Sequence, residues 1–326
     1  MKQVTIVVPE GDVNLSSITG TFQILTRANQ YWQKLGNTSM IDVRIAGFVK
    51  EIKLEDGFFS VNPINVSQIK KTDLLIIPAI AYDYDNVIRK NTELIAWITQ
   101  QYNNGAEIAT ICTGAFLLAS TGLLDGQSCS IHWNTASDFK QRFPNIGIHT
   151  DRLITVGPRI YTNGGAFSFL NLVLFLVEKY FGREIAIHCS KIFQIDIERT
   201  SQSPFSIFQP QKNHGDELIS KAQTFIEENL AEKISFEDLA SRLAISRRNF
   251  DRRFVKAVGN TPMEYLQRVK IEVAKRLLEK ERTTIFEVMF EVGYSDDKAF
   301  REVFKKLTGL SPLDYKAKYN RQPVAV

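Results

Sequence analysis

The chain has 326 residues, 44% hydrophobic and 23% charged, with a formal net charge of +4 at pH 7. That length accommodates two domains with sizeable cores, and the composition is that of an ordinary soluble protein. Three widely spaced cysteines, Cys112, Cys129 and Cys189, suit a reducing cytoplasm rather than a disulfide framework. The first residues enter a strand without the charged and apolar regions of a signal peptide, and the longest apolar run, 166–177, is too short to span a bilayer. Four scattered histidines without Cys/His pairing give no metal site, and no cofactor motif stands out.

In chain order, the apolar run 4–8 reads as a strand buried on both faces of a parallel sheet, followed by a helix over 15–32. A strand over 42–48, a small hairpin over 51–61 around Glu55-Asp56-Gly57, and a buried strand over 74–78 come next. A helix spans 86–104 and is stopped by Gly105. A strand over 107–111 runs into Cys112; strands at 152–156 and 159–162 precede helices over 167–181 and 183–194. Strands alternating with helices predict a doubly wound α/β sheet.

The strand 107–111, then Cys112-Thr113-Gly114, then a helix with Phe116, Leu117 and Leu118, has the layout of a nucleophile elbow. A sharp turn exposes the side chain there, and the helix N-terminus favours a thiolate. A cysteine that only packs at a strand end has the same local sequence. The polar stretch 201–215, broken by Pro204, Pro210 and Gly215, reads as a linker between domains over 1–200 and 216–320.

Beyond it lies a repeat. Residues 236–265 and 286–315 match at an offset of 50, pairing Phe236 with Phe286, Phe250 with Phe300, Phe254 with Phe304, Gly259 with Gly309 and Pro262 with Pro312. Ser235 starts a short helix, Ser246 caps a second one ending near Gly259, and Thr261-Pro262-Met263-Glu264 opens the connector to the next copy with a capping box. Phe250 and Phe254 share one face of the second helix, with Arg248 and Arg252 opposite; in the second copy Phe300 and Phe304 face inward, with Lys298, Arg301 and Lys305 outward. Two turn-linked helices, the second bearing outward cations, form a helix-turn-helix. Basic helix faces are commonly only solvated, but this arrangement occurs twice. Residues 1–210 carry 18 basic and 18 acidic side chains, so the whole positive excess belongs with the repeat.

The span 216–320, with Gly293-Tyr294-Ser295-Asp296 and the run to Tyr315, resembles the double helix-turn-helix domain of AraC/XylS regulators. The run Ile111-Cys112-Thr113-Gly114-Ala115 to Gly126, with Ile131-His132-Trp133, resembles the DJ-1/PfpI group of class I glutamine amidotransferase-like domains over about 1–195. Together they resemble the GlxA-like branch of AraC-type regulators. The resemblance implies a flavodoxin-like sensor fold, a small-molecule effector, double-stranded DNA as partner and a homodimer through the α/β domains. Where relatives carry an acid this chain has Ser17, and where they have Pro-Gly-Gly it has Pro78-Ala79-Ile80. Catalysis at Cys112 needs that acid and an oxyanion hole, so the expectation is a vestigial elbow whose pocket (Cys112, Thr113, Ser17, Ala79, His132) binds a ligand. A thiol hydrolase or hydratase, or a redox sensor at Cys112, is the alternative. Arg248, Arg252, Lys298 and Arg301 are the candidates for base edges and Asn249 for adenine. Arg247, Arg253, Lys305 and Lys306 are the candidates for phosphates.

Overall fold

The computed structural model describes residues 1–280 and 283–320. The chain forms two compact units, divided between Gln202 and Ser203. The first holds β1 (Lys2–Val7), α1 (Leu15–Lys34), β2 (Ile41–Gly47), the hairpin β3 (Ile52–Leu54) and β4 (Phe59–Val61), β5 (Ile64–Asn65), β6 (Leu74–Ile77), α2 (Tyr84–Lys90), α3 (Thr92–Asn103) and β7 (Glu107–Ile111). It continues with α4 (Ala115–Ala119), β8 (Ser128–Ser130), α5 (Ala136–Arg142), β9 (Gly147–His149), β10 (Ile154–Val156), β11 (Ile160–Asn163), α6 (Phe169–Phe181) and α7 (Arg183–Phe193).

Seven strands form one sheet in the order β10-β11-β7-β6-β1-β2-β5, parallel except for β10 against β11. Side chains alternate between faces along a strand. Ile6, Leu74 and Ala109 therefore join the core under α1, α6 and α7, while Val7, Leu75 and Ile108 join the core with Trp97, Phe116 and Phe139. Burial on both faces explains the unbroken apolar runs. The single helix expected over 86–104 is two, because Asn91 breaks it. Its buried side chain accepts from Glu10 N–H (2.8 Å) and donates to Glu10 O and Val87 O (2.8 Å each), tying the end of α2 to the β1–α1 loop.

The second unit holds α8 (Glu217–Glu228), α9 (Phe236–Arg242), α10 (Arg247–Val258), α11 (Pro262–Leu278), α12 (Ile285–Glu291), α13 (Asp297–Thr308) and α14 (Pro312–Tyr319). Helices α9 and α10 form the first helix-turn-helix and α12 and α13 the second, each over its own core of Phe and Tyr rings packed edge-on or tilted. Ser246, Asp296 and Ser311 each cap a helix, and Thr261 with Glu264 closes a full capping box at the head of α11. The segment expected as a free linker divides differently. Gln202 is buried in the α/β unit, and residues from Pro204 to Lys212 lie along the helical unit, with Pro204 O accepting from Tyr319 Oη (2.8 Å) and Phe208 N–H donating to Glu272 (3.1 Å). Among the described residues no helix is long and apolar enough to cross a membrane.

The repeat does not keep one offset. Helices α10 and α13 start 50 residues apart, but the caps Ser235 and Thr284 are 49 apart, and Leu239 and Ala240 correspond in burial to Val288 and Met289. The counterpart of Phe236 is Ile285, and the second turn holds one more residue, between Val292 and Asp296, than the first. The capping oxygen sets where a helix begins, so the Phe236–Phe286 pairing read from sequence is one residue out. Accordingly Phe236 is 5% exposed and Phe286 62%. Phe236→Ala should cost about 3–5 kcal/mol in urea unfolding, whereas Phe286→Ala should stay within about 0.5 kcal/mol of wild type. Equal losses would restore the constant offset.

Candidate functional site

Cys112 follows β7 at the sheet's C-terminal edge with φ of 50°, the left-handed geometry of a strained elbow. Gly114 is what lets the following helix close onto the sheet: a Cβ there would stand 2.5 Å from Pro78 O and 2.9 Å from Ile77 O. The turn borders a cavity of about 410 Å³. Cys112, Thr113, Ser17, Ala79 and His132, the five residues singled out from the sequence, all line it. The structure adds Asp12 beside α1, Glu55 and Asp56 from the β3–β4 hairpin, and Ala166, Phe167 and Phe169 leading into α6. Only their distance in sequence hides these, since the hairpin and α6 reach the cavity through the tertiary fold.

The backbone after β6 is fully engaged. Ala79 N–H donates to Ser17 Oγ (3.3 Å), Ile80 N–H to Thr113 Oγ1 (2.9 Å) and Ala81 N–H to Asp12 O (2.8 Å). Thr113 Oγ1 in turn donates to Ile80 O (2.7 Å), and Ser17 Oγ to Asn14 O (2.7 Å). None of these three amides points free into the cavity as an oxyanion donor would. Burial pushes the Cys112 thiol up to about 11, outweighing hydrogen bonds from Thr113 and the Gly165 N–H. At pH 7 the buried group is therefore held as the neutral thiol. Burial also lowers the His132 pKa, which keeps the ring neutral, and its Nδ1 accepts from Asn134 N–H (3.1 Å), so it caps its own turn.

On the helical unit the cations sort into two groups. Arg253, a phosphate candidate from the sequence, makes a two-point ion pair with Asp216 at the N-cap of α8 (2.9 and 2.8 Å). Arg247 pairs with Asp251 (2.9 Å) and Arg301 with Asp297 (2.7 Å), each one turn along its own helix. Arg252 Nη2 donates to Asn249 Oδ1 (3.2 Å). Among the described residues Arg248, Lys298 and Lys305 make no ion pair, and all three are exposed. No group of three or more His, Cys, Asp or Glu among the described residues is placed to hold a metal.

Residues 5–166 match the DJ-1/PfpI family, and residues 239–318 match a helix-turn-helix domain family. The chain is thus a DJ-1/PfpI-type α/β domain joined to an AraC-type helix-turn-helix domain. It is similar to named HTH-type transcriptional regulators. It is 26% identical over 223 residues to the HTH-type transcriptional regulator GbdR of Pseudomonas aeruginosa, covering 68% of this chain and 60% of that one. It is 25% identical to the regulator CdhR of the same species, covering 75% of this chain and 72% of the relative, and 27% identical to GlxA of Rhizobium meliloti, covering 64% of each. The match therefore spans less than two thirds of GbdR. Among solved structures, a candidate transcriptional regulator from Vibrio parahaemolyticus shares the α/β fold with a TM-score of 0.53 at 24% identity, covering 59% of this chain and 98% of its own. DJ-1beta of Drosophila melanogaster shares it at 0.50 and 18%, covering 60% and 98%.

Because the thiolate is the nucleophile, alkylation of Cys112 by iodoacetamide should be slow at pH 7 and rise about tenfold per pH unit, levelling only near the raised value of about 11. Peptide-resolved mass spectrometry reads this. A plateau below pH 8 would reveal an activated thiolate.

Proposed function

We propose that this protein is a sequence-specific DNA-binding transcriptional regulator whose α/β unit senses a small molecule without turning it over. The observation that carries the reading is the doubled helix pair, with outward cations on the second helix of each copy and one helix, α11, joining them. Helix α11 has 17 residues, or about 26 Å at 1.5 Å per residue. A connector of that length suits two recognition helices in successive major grooves on one face of DNA, about 34 Å apart.

Arg248 and Arg252 on α10, and Lys298 and Arg301 on α13, take base edges, since a two-point arginine–guanine contact is the commonest specific pairing. Asn249 reads adenine; Arg247, Lys305 and Lys306 hold phosphates, which position without specifying. The cavity beside Cys112 holds the effector, with Cys112, Thr113, Ser17, Ala79 and His132 in its wall. A neutral thiol and spoken-for amides support binding over catalysis. The protein works in the cytoplasm as a homodimer through its α/β units, and neither metal nor cofactor enters the reading.

Arg248→Ala should weaken binding to a duplex selected from a random pool by about 1–3 kcal/mol and relax specificity at one base position. Lys305→Ala should weaken all duplexes alike and lower the slope of log affinity against log salt by about one. Arg248→Ala binding its selected duplex as wild type does would overturn the recognition assignment.

The purified protein should hydrolyse amide, nitrile and ester substrates no faster than Cys112→Ala. Turnover that disappears in the variant would establish an enzyme instead.

A further inference from the structure

Gln202 is the last residue of the α/β unit and is 1% exposed, although it lies in a stretch whose composition reads as linker. Its side-chain amide is fully used. Nε2 donates to Ile131 O (2.9 Å) and Arg152 O (3.1 Å), and Oε1 accepts from Trp133 N–H (3.3 Å). Its own N–H donates to Asp151 O (3.0 Å). A buried amide is tolerated only when paired, and here the pairing grips both sides of His132, which lines the cavity.

A second piece of the cavity wall meets the same side chain. Gly164 lies so close that a Cβ there would stand 2.2 Å from Gln202 Nε2. The next residue, Gly165, directs its N–H at the Cys112 sulfur, and the two after that, Ala166 and Phe167, line the cavity. Any shift of either wall therefore strains the hydrogen bonds of one buried glutamine.

Ser203, the next residue in the chain, begins the helical unit, and the segment that follows is bound along it at every few residues. Pro204 O accepts from Tyr319 Oη at the end of α14 (2.8 Å), and Ser206 O accepts from Lys275 Nζ on α11 (2.6 Å). Phe208 N–H donates to Glu272 Oε2 (3.1 Å), and its ring packs edge-on against Tyr265 (5.7 Å). Gln211 O accepts from Gln223 Nε2 on α8 (2.9 Å). This strap touches α14, the connector α11 and α8 in turn. The residue held by the cavity wall and the first residue of the strap are joined by a single peptide bond.

We propose that Gln202 is the positioning residue through which the state of the Cys112 cavity reaches the strap, and through it the setting of the two DNA-reading helix pairs. This rests on the cavity being an effector site. With the walls at rest, Gln202 holds the start of the strap in place. When an occupant moves residues 131–133 or 164–167, the glutamine's bonds rearrange and the strap's grip on Lys275 and Glu272 changes with them.

The test uses the full chain with methyl methanethiosulfonate as the probe, coupled to Cys112 at pH 9 and confirmed by peptide mapping; dithiothreitol removes the added methylthio group. Amide hydrogen exchange of 203–212 and affinity for the selected duplex are read before and after. In wild type the modification should change strap exchange at least threefold and DNA affinity at least threefold, both reversed by dithiothreitol. In Gln202→Ala, and in the nearly isosteric Gln202→Glu should the alanine variant not fold, both responses should fall away. A Gln202 variant that responds as wild type does, or a wild-type strap indifferent to the modification, overturns the proposal. If strap exchange responds through Gln202 but no duplex is selected by the chain, the joint stands and the regulator reading fails.

Discussion

Helix α11 carries Lys270, Glu272 and Lys275 at less than a tenth exposure, and the helical unit is arranged to satisfy them. Buried charges destabilise unless paired and hydrogen-bonded. Lys275 pairs with Glu272 (2.8 Å), and both then bind backbone of the strap, at Ser206 O and Phe208 N–H. Lys270 donates to Gly293 O (3.0 Å) in the turn of the second helix-turn-helix. That turn also rests against the loop after α8, where a Cβ on Gly293 would meet Leu230 O at 2.5 Å. The two helix pairs are therefore fixed to each other by backbone contact and by a buried cation, as well as by the helix that joins them. Three charges on α11 thus tie the connector to the strap and to the turn of the second helix pair.

The same rule of satisfying buried polar groups accounts for the cavity. An oxyanion hole needs backbone N–H groups left without partners and aimed at one point. Here Ser17 and Thr113 supply hydroxyl partners to the amides of Ala79 and Ile80. The elbow keeps its strained φ and its glycine, so its shape is that of a reactive site while its electrostatics favour a neutral thiol. A partly enclosed space of about 410 Å³ whose bordering amides after β6 are already paired is suited to holding a molecule.

Much of this was legible in the sequence because it depends on local chemistry. Strands buried on both faces announce themselves as apolar runs, and the caps at Ser246, Thr261 and Asp296 mark helix starts that the structure reproduces. What could not be read is set by partners distant in the chain. Asn91 breaks a helix to hold Glu10, 81 residues away. Arg253 is paired with Asp216, 37 residues back, a partner its own helix does not announce. Pro204 and Pro210 argue for a loose linker, yet the strap is held by side chains of α11 and α14 more than 60 residues on. The offset of 49 was hidden by chance identity, since Phe286 resembles Phe236 by letter and Ile285 takes its place in the fold.

The two helix pairs are built alike and charged differently. Helix α10 begins Arg247-Arg248-Asn249 and carries Arg252, Arg253 and Lys256, with Asp251 its one acid. Helix α13 is capped by Asp296, begins with Asp297 and holds its cations at Lys298, Arg301, Lys305 and Lys306. At the N-terminal turn, where recognition helices approach base edges, the first therefore presents arginines and the second carboxylates. Asp297 accepts the single Nε–H of Arg301 on both carboxylate oxygens (2.8 and 2.7 Å), restricting the side chain while cancelling part of its charge. Screened charge contributes little to non-specific attraction, but an oriented fork loses less freedom on making a two-point contact. If the two helices read DNA as proposed, α10 supplies most of the electrostatic hold and α13 contributes discrimination more than affinity.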